Sequence, residues 1–214
     1  DCFKWHIIKW VKKNQLKHTK ARNKEIIPCS TESQLLAKFI ELIRDIDPDI
    51  LIGYNSDYFD IPYLYNRIRN LVDEKVFKRF SPWNLVERET IVVRGRPQTY
   101  YAIFGISMLD YLDLYQKFIP TKQESYKLDY IGKVELGLQK DENPYDTFRD
   151  WYTKDYQSFI DYNIKDVEIV DALEDKLKLI ELVLTMAYEA KVNYMDVLGL
   201  SLIHISEPTR LRTI

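Results

Sequence analysis

The sequence predicts an α/β fold, in which a mixed sheet is flanked by helices and carries one inserted β-hairpin. Three observations support this class. Residues 50–54 form a continuous apolar run with the length and composition of a buried strand in a parallel sheet. Apolar residues at helical spacing precede and follow this run. Residues 94–97 read Arg-Gly-Arg-Pro between two strand-like segments, which indicates a hairpin. Strands that alternate with helices are typical of α/β domains.

The predicted elements follow one another along the chain, although the basic and aromatic residues 1–29 receive no assignment. Thr31 and Gln34 have the spacing of a capping box, which predicts a helix that ends at the turn of residues 47–49. Pro62 starts a second helix, because proline tolerates the first helical turn. The later predicted elements are hairpin strands at 89–93 and 99–104, a strand at 106–114, a helix at 125–136 and a long helix at 151–190.

The composition is that of one soluble domain of 214 residues. Hydrophobic residues make up 46% of the chain, but no uninterrupted apolar run approaches the length of a membrane span. We therefore expect an intracellular protein without a signal segment or a membrane contact. The formal net charge is −2, so any binding to nucleic acid has to rest on local patches.

Several classes of site are excluded by the residue inventory. Cys2 and Cys29 form neither a CxxC motif nor a zinc-ligand spacing. The chain has only 6 glycines, which assemble neither a P-loop nor a dinucleotide fingerprint. A run of basic residues near the N-terminus is either a nucleic-acid patch or a solvated face; its members are Lys4, Lys9, Lys12, Lys13, Lys17, Lys20, Arg22 and Lys24.

Two acids and one phenol are the candidate catalytic residues. Asp60 stands between the predicted strand and the Pro62 helix, so the sheet presents its carboxylate at the rim. Asp166 follows Tyr162 by one helical turn, so the two side chains share one side of the long helix. Two divalent ions about 4 Å apart, held by carboxylate oxygens, can cleave a phosphodiester. In that interpretation Asp60 and Asp166 are metal ligands and Tyr162 orients the attacking water.

Each of these motifs also has an ordinary structural interpretation. An acid before a helix that starts with proline can cap the free N–H groups of that helix. A Tyr-x-x-x-Asp pair is more often part of a solvated helix face. On a helical wheel Tyr162 and Asp166 lie opposite the apolar stripe centred on Ile164, which leaves them free to line a cleft.

Two segments, YNSDYFDIPYL at 54–64 and YNIKD at 162–166, resemble the second and third exonuclease motifs of the B-family DNA polymerases, especially the phage type. The intervening segments FGISMLDYLDLYQKF and SYKLDYI also match, so the resemblance runs from about Lys24 to Gly199, which is most of the chain. It implies an RNase H-like 3′→5′ exonuclease fold and Mg²⁺ or Mn²⁺ as cofactor. It also implies DNA as a partner, both as primer-template and as a single-stranded primer 3′ end, and a sliding clamp as a partner of the parent polymerase.

The resemblance also implies roles for individual residues. Asn55 and Phe59 match positions that contact the unpaired 3′ end of the primer. Arg94 and Arg96 lie at the tip of a hairpin that helps to part primer from template. The alternatives are a local turn for Asn55, a core aromatic for Phe59 and an ordinary β-turn for the hairpin tip.

Asp110 and Asp113 are left out of the site, because the family uses this segment structurally and alternation would place them on opposite faces of a strand.

The family's leading Asp-x-Glu motif has no match in residues 1–50. We therefore expect the exonuclease domain to be incomplete at its N-terminus, with that motif upstream and the polymerase palm beyond residue 199. Residues 200–210 match the translation of a sequencing-library adapter, so 200–214 are expected to be non-native. Two other hypotheses remain: a free-standing exonuclease of the same superfamily, and a non-catalytic DNA-binding module with this fold.

Overall fold

A computed structural model describes residues 5–12, 22–93, 96–138, 144–145 and 147–199. The chain divides into two compact units, one made of Asp1–Leu51 and Ser56–Ile106, the other of Ile52–Asn55 and Ser107–Ile214. The described residues form helices and three two-stranded sheets, so the predicted mixed α/β class is confirmed. No helix in these ranges has both the length and the apolar character needed to cross a membrane.

The elements of the first unit begin with a hairpin. In chain order they are β1 (Trp5–Lys12), β2 (Arg22–Cys29), α1 (Glu32–Ile46), β3 (Ile50–Gly53), α2 (Asp60–Leu71), α3 (Glu74–Lys78), β4 (Val86–Val93) and β5 (Arg96–Ile103). Strand β3 runs from this unit into the second one.

The elements of the second unit are mostly helical. They are β6 (Ser107–Asp110), α4 (Tyr111–Phe118), α5 (Leu128–Leu136), α6 (Phe148–Lys154), α7 (Tyr156–Leu177), α8 (Leu179–Ala190) and α9 (Tyr194–Gly199).

Two antiparallel hairpins are present, and the sequence predicted only one of them. Strands β4 and β5 pair from Val86 opposite Ile103 to Val93 opposite Arg96, which confirms the predicted hairpin and extends both of its strands. Strands β1 and β2 pair from Trp5 opposite Cys29 to Lys12 opposite Arg22, where the sequence assigned no element. The run Ile7, Ile8, Trp10 and Val11 has strand propensity, but no tight-turn motif follows it.

The capping box predicted for α1 is present. The Thr31 side chain accepts a hydrogen bond from the Gln34 backbone N–H at 3.2 Å, and Gln34 Oε1 in turn accepts the Ser30 N–H at 2.7 Å. The helix ends at Asp47, which has a left-handed φ of 47°. The helical spacing predicted a buried apolar face on this helix. Leu36, Ile40 and Ile43 form that face and lie in the core of the first unit.

The sequence predicted a fully buried strand of the parallel type at 50–54. A strand is present, but it is not fully buried. Strand β3 pairs with β6, and these two strands make up their sheet among the described residues. The Ile52 side chain is 46% exposed. A strand with one neighbour lacks the cover that strands on both sides and helices on both faces would provide.

The prediction of a strand through residues 106–114 is also wrong. Strand β6 ends at Asp110, and helix α4 starts at Tyr111. The Asp110 carboxylate caps this helix by accepting the Leu112 N–H at 2.9 Å. Asp113 therefore lies in the first turn of a helix, and the argument from strand alternation does not apply to it.

The predicted long helix at 151–190 is three helices, α6, α7 and α8. Asp155 separates the first two and caps α7, because its side chain accepts the Ser158 N–H at 3.2 Å. Lys178, with a left-handed φ of 55°, separates α7 from α8. The Glu174 carboxylate accepts the Ile180 N–H at 3.1 Å and so satisfies the start of α8.

The apolar stripe on α7 differs in part from the predicted one. Ile160, Ile164 and Leu173 are buried as predicted. Val167, which the sequence also placed in the stripe, is 51% exposed, whereas Ile169, which the sequence left out of it, is buried. The reason is packing against α5. Gly132 has no side chain, and the Ile169 side chain lies so close to it that a Cβ on Gly132 would be 3.1 Å from Ile169 Cγ2. The close approach of two helices therefore selects which side chain is buried.

Buried and half-buried tyrosines connect the elements of the second unit. The Tyr111 hydroxyl donates to Glu174 at 3.3 Å, the Tyr115 hydroxyl to Glu135 at 2.6 Å, and the Tyr54 hydroxyl to the Tyr126 carbonyl at 2.7 Å. Burial is the main cause that raises the pKa of all three phenols, and nearby negative charge adds to it. In the first unit, burial and the charge of Asp57 raise the pKa of Tyr100 to about 12.

We expect the protein to lose stability as the pH rises above 10, the ordinary pKa of tyrosine. A raised pKa in the folded state means that the stabilisation is fully present below the unfolded pKa and is lost as the pH rises through the folded one. The part of the phenolate absorbance that comes from the buried phenols should appear together with the change in circular dichroism, since their ionisation requires unfolding, whereas exposed phenols ionise earlier.

Tyr188 provides the control, because its side chain is 81% exposed. Tyr188→Phe should leave the alkaline midpoint unchanged, whereas Tyr111→Phe should move it to higher pH. Complete phenolate formation near pH 10 with unchanged circular dichroism would contradict this prediction.

Candidate active site

Asn55 lies in the loop after β3, and its backbone is held by a contact within the second unit. Asn55 has a left-handed φ of 62°. Its N–H donates to Asp110 Oδ1 at 2.8 Å. The preceding residue, Tyr54, is anchored by its hydroxyl to the Tyr126 carbonyl. Asparagine tolerates this conformation better than most residues.

Phe59 and Asp60 mark the start of α2 in the first unit. Phe59 occupies the N-cap position without a side-chain capping bond, and its ring is 65% exposed, so the core-aromatic alternative is wrong. Asp60 is the first residue of the helix and is exposed. The helix thus starts at Asp60 and not at Pro62, which occupies the third position.

Asp60 is therefore not the N-cap residue of this helix, a position that Phe59 occupies. The carboxylate still lies in the first turn, where the helix dipole stabilises a negative charge. Ile61 N–H donates to the Ser56 carbonyl at 3.0 Å and closes the loop onto the helix. This arrangement leaves Asp60 at the surface of the unit, at the end of a structured loop.

Tyr162 and Asp166 lie one turn apart on α7 and are both half-buried. The Tyr162 ring contacts the Trp151 ring edge-on, with centroids 4.8 Å apart. The Oδ1 atom of Asp166 is buried. Half-buried side chains do not fit the solvated-face alternative, and the prediction that the pair lines a cleft stays a prediction. Helix α6 packs beside α7 and brings Trp151 against Tyr162.

The candidate residues belong to different parts of the structure. Asp60 and Phe59 lie in the first unit, and Asn55, Tyr162 and Asp166 in the second. The approach of Asp60 to Asp166 stays a prediction. Arg94 and residues 200–214 are outside the described residues, and of Arg96 the structure describes the backbone at the start of β5.

The donor chemistry fits a hard divalent ion, because both predicted ligands are carboxylates. Within the described ranges, no group of three or more His, Cys, Asp or Glu side chains has the geometry to hold a metal ion.

Asp110 was not predicted as a member of the site. Its side chain is 1% exposed, and it contacts the backbone of Asn55. The sequence did contain an indication, since an acid directly before a helical segment is a typical N-cap. That indication was missed because Asp110 was placed within a continuous strand.

Comparison with known proteins identifies the class. The family model described as "DNA polymerase family B, exonuclease domain" matches residues 3–131. The chain is 39% identical over 173 residues to the DNA-directed DNA polymerase of Escherichia phage RB69, covering 80% of this chain and 19% of that protein. It is 36% identical over 174 residues to the corresponding polymerase of Enterobacteria phage T4, covering 81% and 19%. The DNA polymerase delta catalytic subunit of Schizosaccharomyces pombe is 30% identical over 162 residues, covering 72% and 15%.

These matches define a polymerase-associated exonuclease domain. The chain belongs to DNA polymerase family B, and the resemblance inferred from its motifs is confirmed. It spans about a fifth of the length of its phage relatives.

Proposed function

We propose that this chain forms most of the 3′→5′ proofreading exonuclease domain of a replicative family B DNA polymerase, with an RNase H-like fold. The reaction is hydrolysis of the last phosphodiester at the primer 3′ end. The observation that carries the proposal is the exonuclease-domain match over residues 3–131, which contains the N-x-x-x-F-D motif ending at Asp60. Tyr162 and Asp166, one turn apart on α7, support it from the other part of the chain.

Asp60 and Asp166 are the proposed ligands of Mg²⁺ or Mn²⁺. When bound, two such ions supply Lewis-acid stabilisation of the attacking and leaving oxygens. Tyr162 orients the attacking water through its hydroxyl, and its ring packs against Trp151. Asp60 and Asp166 should lie within roughly 8 Å of each other in the metal-bound domain, given ions about 4 Å apart.

Asn55 and Phe59 are the proposed contacts to the single-stranded primer end. An exposed aromatic ring is a surface on which a base stacks whatever its sequence, and the Phe59 ring is 65% exposed. Arg94 and Arg96 at the hairpin tip would contact the primer-template. A sliding clamp is proposed as a partner of the complete polymerase, which would act inside the cell that holds its DNA.

The isolated chain of 214 residues is expected to bind divalent ions weakly and to have no appreciable exonuclease activity. Hard ions keep their water ligands unless several protein or phosphate oxygens replace them, and here two acids are proposed. Titration calorimetry with Mn²⁺ and digestion of a labelled single-stranded oligonucleotide measure the two properties. Robust degradation by the isolated chain, abolished by a chelator, would show that the ligand set has been misjudged.

The complete polymerase provides the positive test. It should remove a mismatched primer terminus in the presence of Mg²⁺ and stop when a chelator is added. A polymerase that extends primers but never excises a mismatched end would refute the proposed function and would favour the non-catalytic module. A gene that encodes no polymerase domain beside this chain would favour the free-standing exonuclease.

A further inference from the structure

We propose that Asp110 is a positioning residue of the candidate active site, which holds Asn55 in the backbone conformation needed for its contact with the primer end. The inference rests on the proposed function for the role of Asn55. Asp110 itself acts through the backbone of Asn55 and not on DNA. Both residues belong to the second unit, so the argument depends on contacts within that unit.

Asn55 adopts a conformation that needs support. Its φ of 62° lies in the left-handed region, which is less favourable for a non-glycine residue than the right-handed region. Asparagine reduces this cost but does not remove it. In a solvated loop this residue would sample other conformations. A fixed partner for its N–H is therefore the simplest way to hold it.

Asp110 is that partner. Its Oδ1 accepts the Asn55 N–H at 2.8 Å and the Leu112 N–H at 2.9 Å. One buried oxygen thus joins the loop after β3 to the first turn of α4. The Asp110 side chain is 1% exposed, so water does not compete for these charge-assisted bonds. The anchored hydroxyl of Tyr54 holds the residue on the other side of the same peptide bond.

A preformed loop favours binding, because the entropy of ordering Asn55 is already spent before the primer end arrives. Loss of the Asp110 contact should therefore weaken binding of the primer end more than it slows the chemical step. A residue that only stabilised the fold would not change the Michaelis constant and the turnover number in this unequal way.

Two substitutions separate the two hydrogen bonds of Asp110. Asp110→Asn keeps an acceptor oxygen at the same distance from the backbone. Asp110→Ser keeps a good N-cap for Leu112, but its shorter side chain cannot reach Asn55. In the complete polymerase, amide hydrogen exchange should show loss of protection at Asn55 and not at Leu112 in Asp110→Ser. Protection at both amides should persist in Asp110→Asn.

The kinetic test uses excision from a single-stranded oligonucleotide. Asp110→Ser should raise KM about tenfold, the effect of losing one hydrogen bond to a charged group, and leave kcat little changed. Asp110→Asn should keep the KM of the wild-type enzyme. In an Asn55→Ala background, Asp110→Ser should add nothing further, because the two changes remove one interaction.

Asp73→Ser is the matched control. Asp73 is also an N-cap aspartate, which accepts the Lys75 N–H at 2.8 Å, but it caps α3 in the first unit. This variant should not alter KM.

Unchanged hydrogen exchange at the Asn55 amide in Asp110→Ser would overturn the positioning role, whatever the nuclease assay shows. A wild-type polymerase without excision activity would instead refute the proposed function, while the exchange measurement would still decide the geometry. Additive KM effects in the double variant would also overturn the inference.

Discussion

Asp166→Ala in the complete polymerase is expected to remove most of the exonuclease rate and to leave nucleotide addition nearly intact. The carboxylate is proposed to hold a catalytic ion, and losing several kcal/mol of transition-state stabilisation corresponds to about 10³-fold or more in rate. Asp60→Ala should have the same effect. Polymerisation should persist because its carboxylates are expected in a different domain. Parallel assays of mismatch excision and primer extension measure both rates.

Tyr162→Phe should cost less than either aspartate substitution, since it removes a water-orienting hydroxyl and keeps both carboxylates. Positioned groups of this kind contribute about 10²- to 10⁴-fold, so the loss should fall in the lower part of that range. The ring contact with Trp151 is retained by phenylalanine, which limits any structural effect.

Asp161→Ala is the matched control for these variants. Asp161 is an exposed acid on the same helix, and its carboxylate accepts a hydrogen bond from Gln157 at 3.2 Å. Its substitution should leave excision unchanged. An equal loss in Asp161→Ala would indicate a general electrostatic effect of α7. Loss of primer extension in Asp166→Ala would refute the division of labour between the two activities.

Gly105→Ala is expected to destabilise the first unit strongly. Gly105 has a φ of 91°, and a Cβ at this position would lie 2.5 Å from Pro82 Cγ. The backbone strain and the forced displacement of a proline ring together should lower the free energy of unfolding by about 2–4 kcal/mol. Denaturant unfolding of the purified chain, monitored by circular dichroism, measures this change.

Gly137→Ala is the control for the clash. Gly137 also has a positive φ, 68°, but a Cβ there would meet nothing within 4 Å. This variant should be destabilised only by the strain of a left-handed backbone at a non-glycine residue, about 1 kcal/mol. Equal effects of the two substitutions would mean that Pro82 shifts easily and that the close contact carries no energetic cost.

The helix boundaries show how much of the fold could be predicted from the sequence. The capping box of Thr31 and the hairpin around residues 94–97 were predicted because both depend on interactions between near neighbours in the chain. The break at Lys178 was not predicted, because it is stabilised by Glu174, whose carboxylate also accepts a bond from Tyr111. A contact of this kind cannot be recognised from the spacing of residues along the chain.

The candidate site divides in the same way. Asp60, Tyr162 and Asp166 were identified from motif spacing, since their chemistry is a property of residue type and order. The surroundings of these residues could not be identified in this way. The contact between the rings of Trp151 and Tyr162 depends on how α6 packs on α7.

By itself, the sequence determined the α/β class, the family, and the residues proposed to carry the chemistry, because these follow from short-range patterns and residue identities. Only the tertiary structure decided that Asp110 ends β6, caps α4 and holds Asn55. That role depends on two backbone N–H groups from distant segments meeting one buried carboxylate oxygen. Desolvation makes such a contact strong, but it leaves no periodic pattern in the chain.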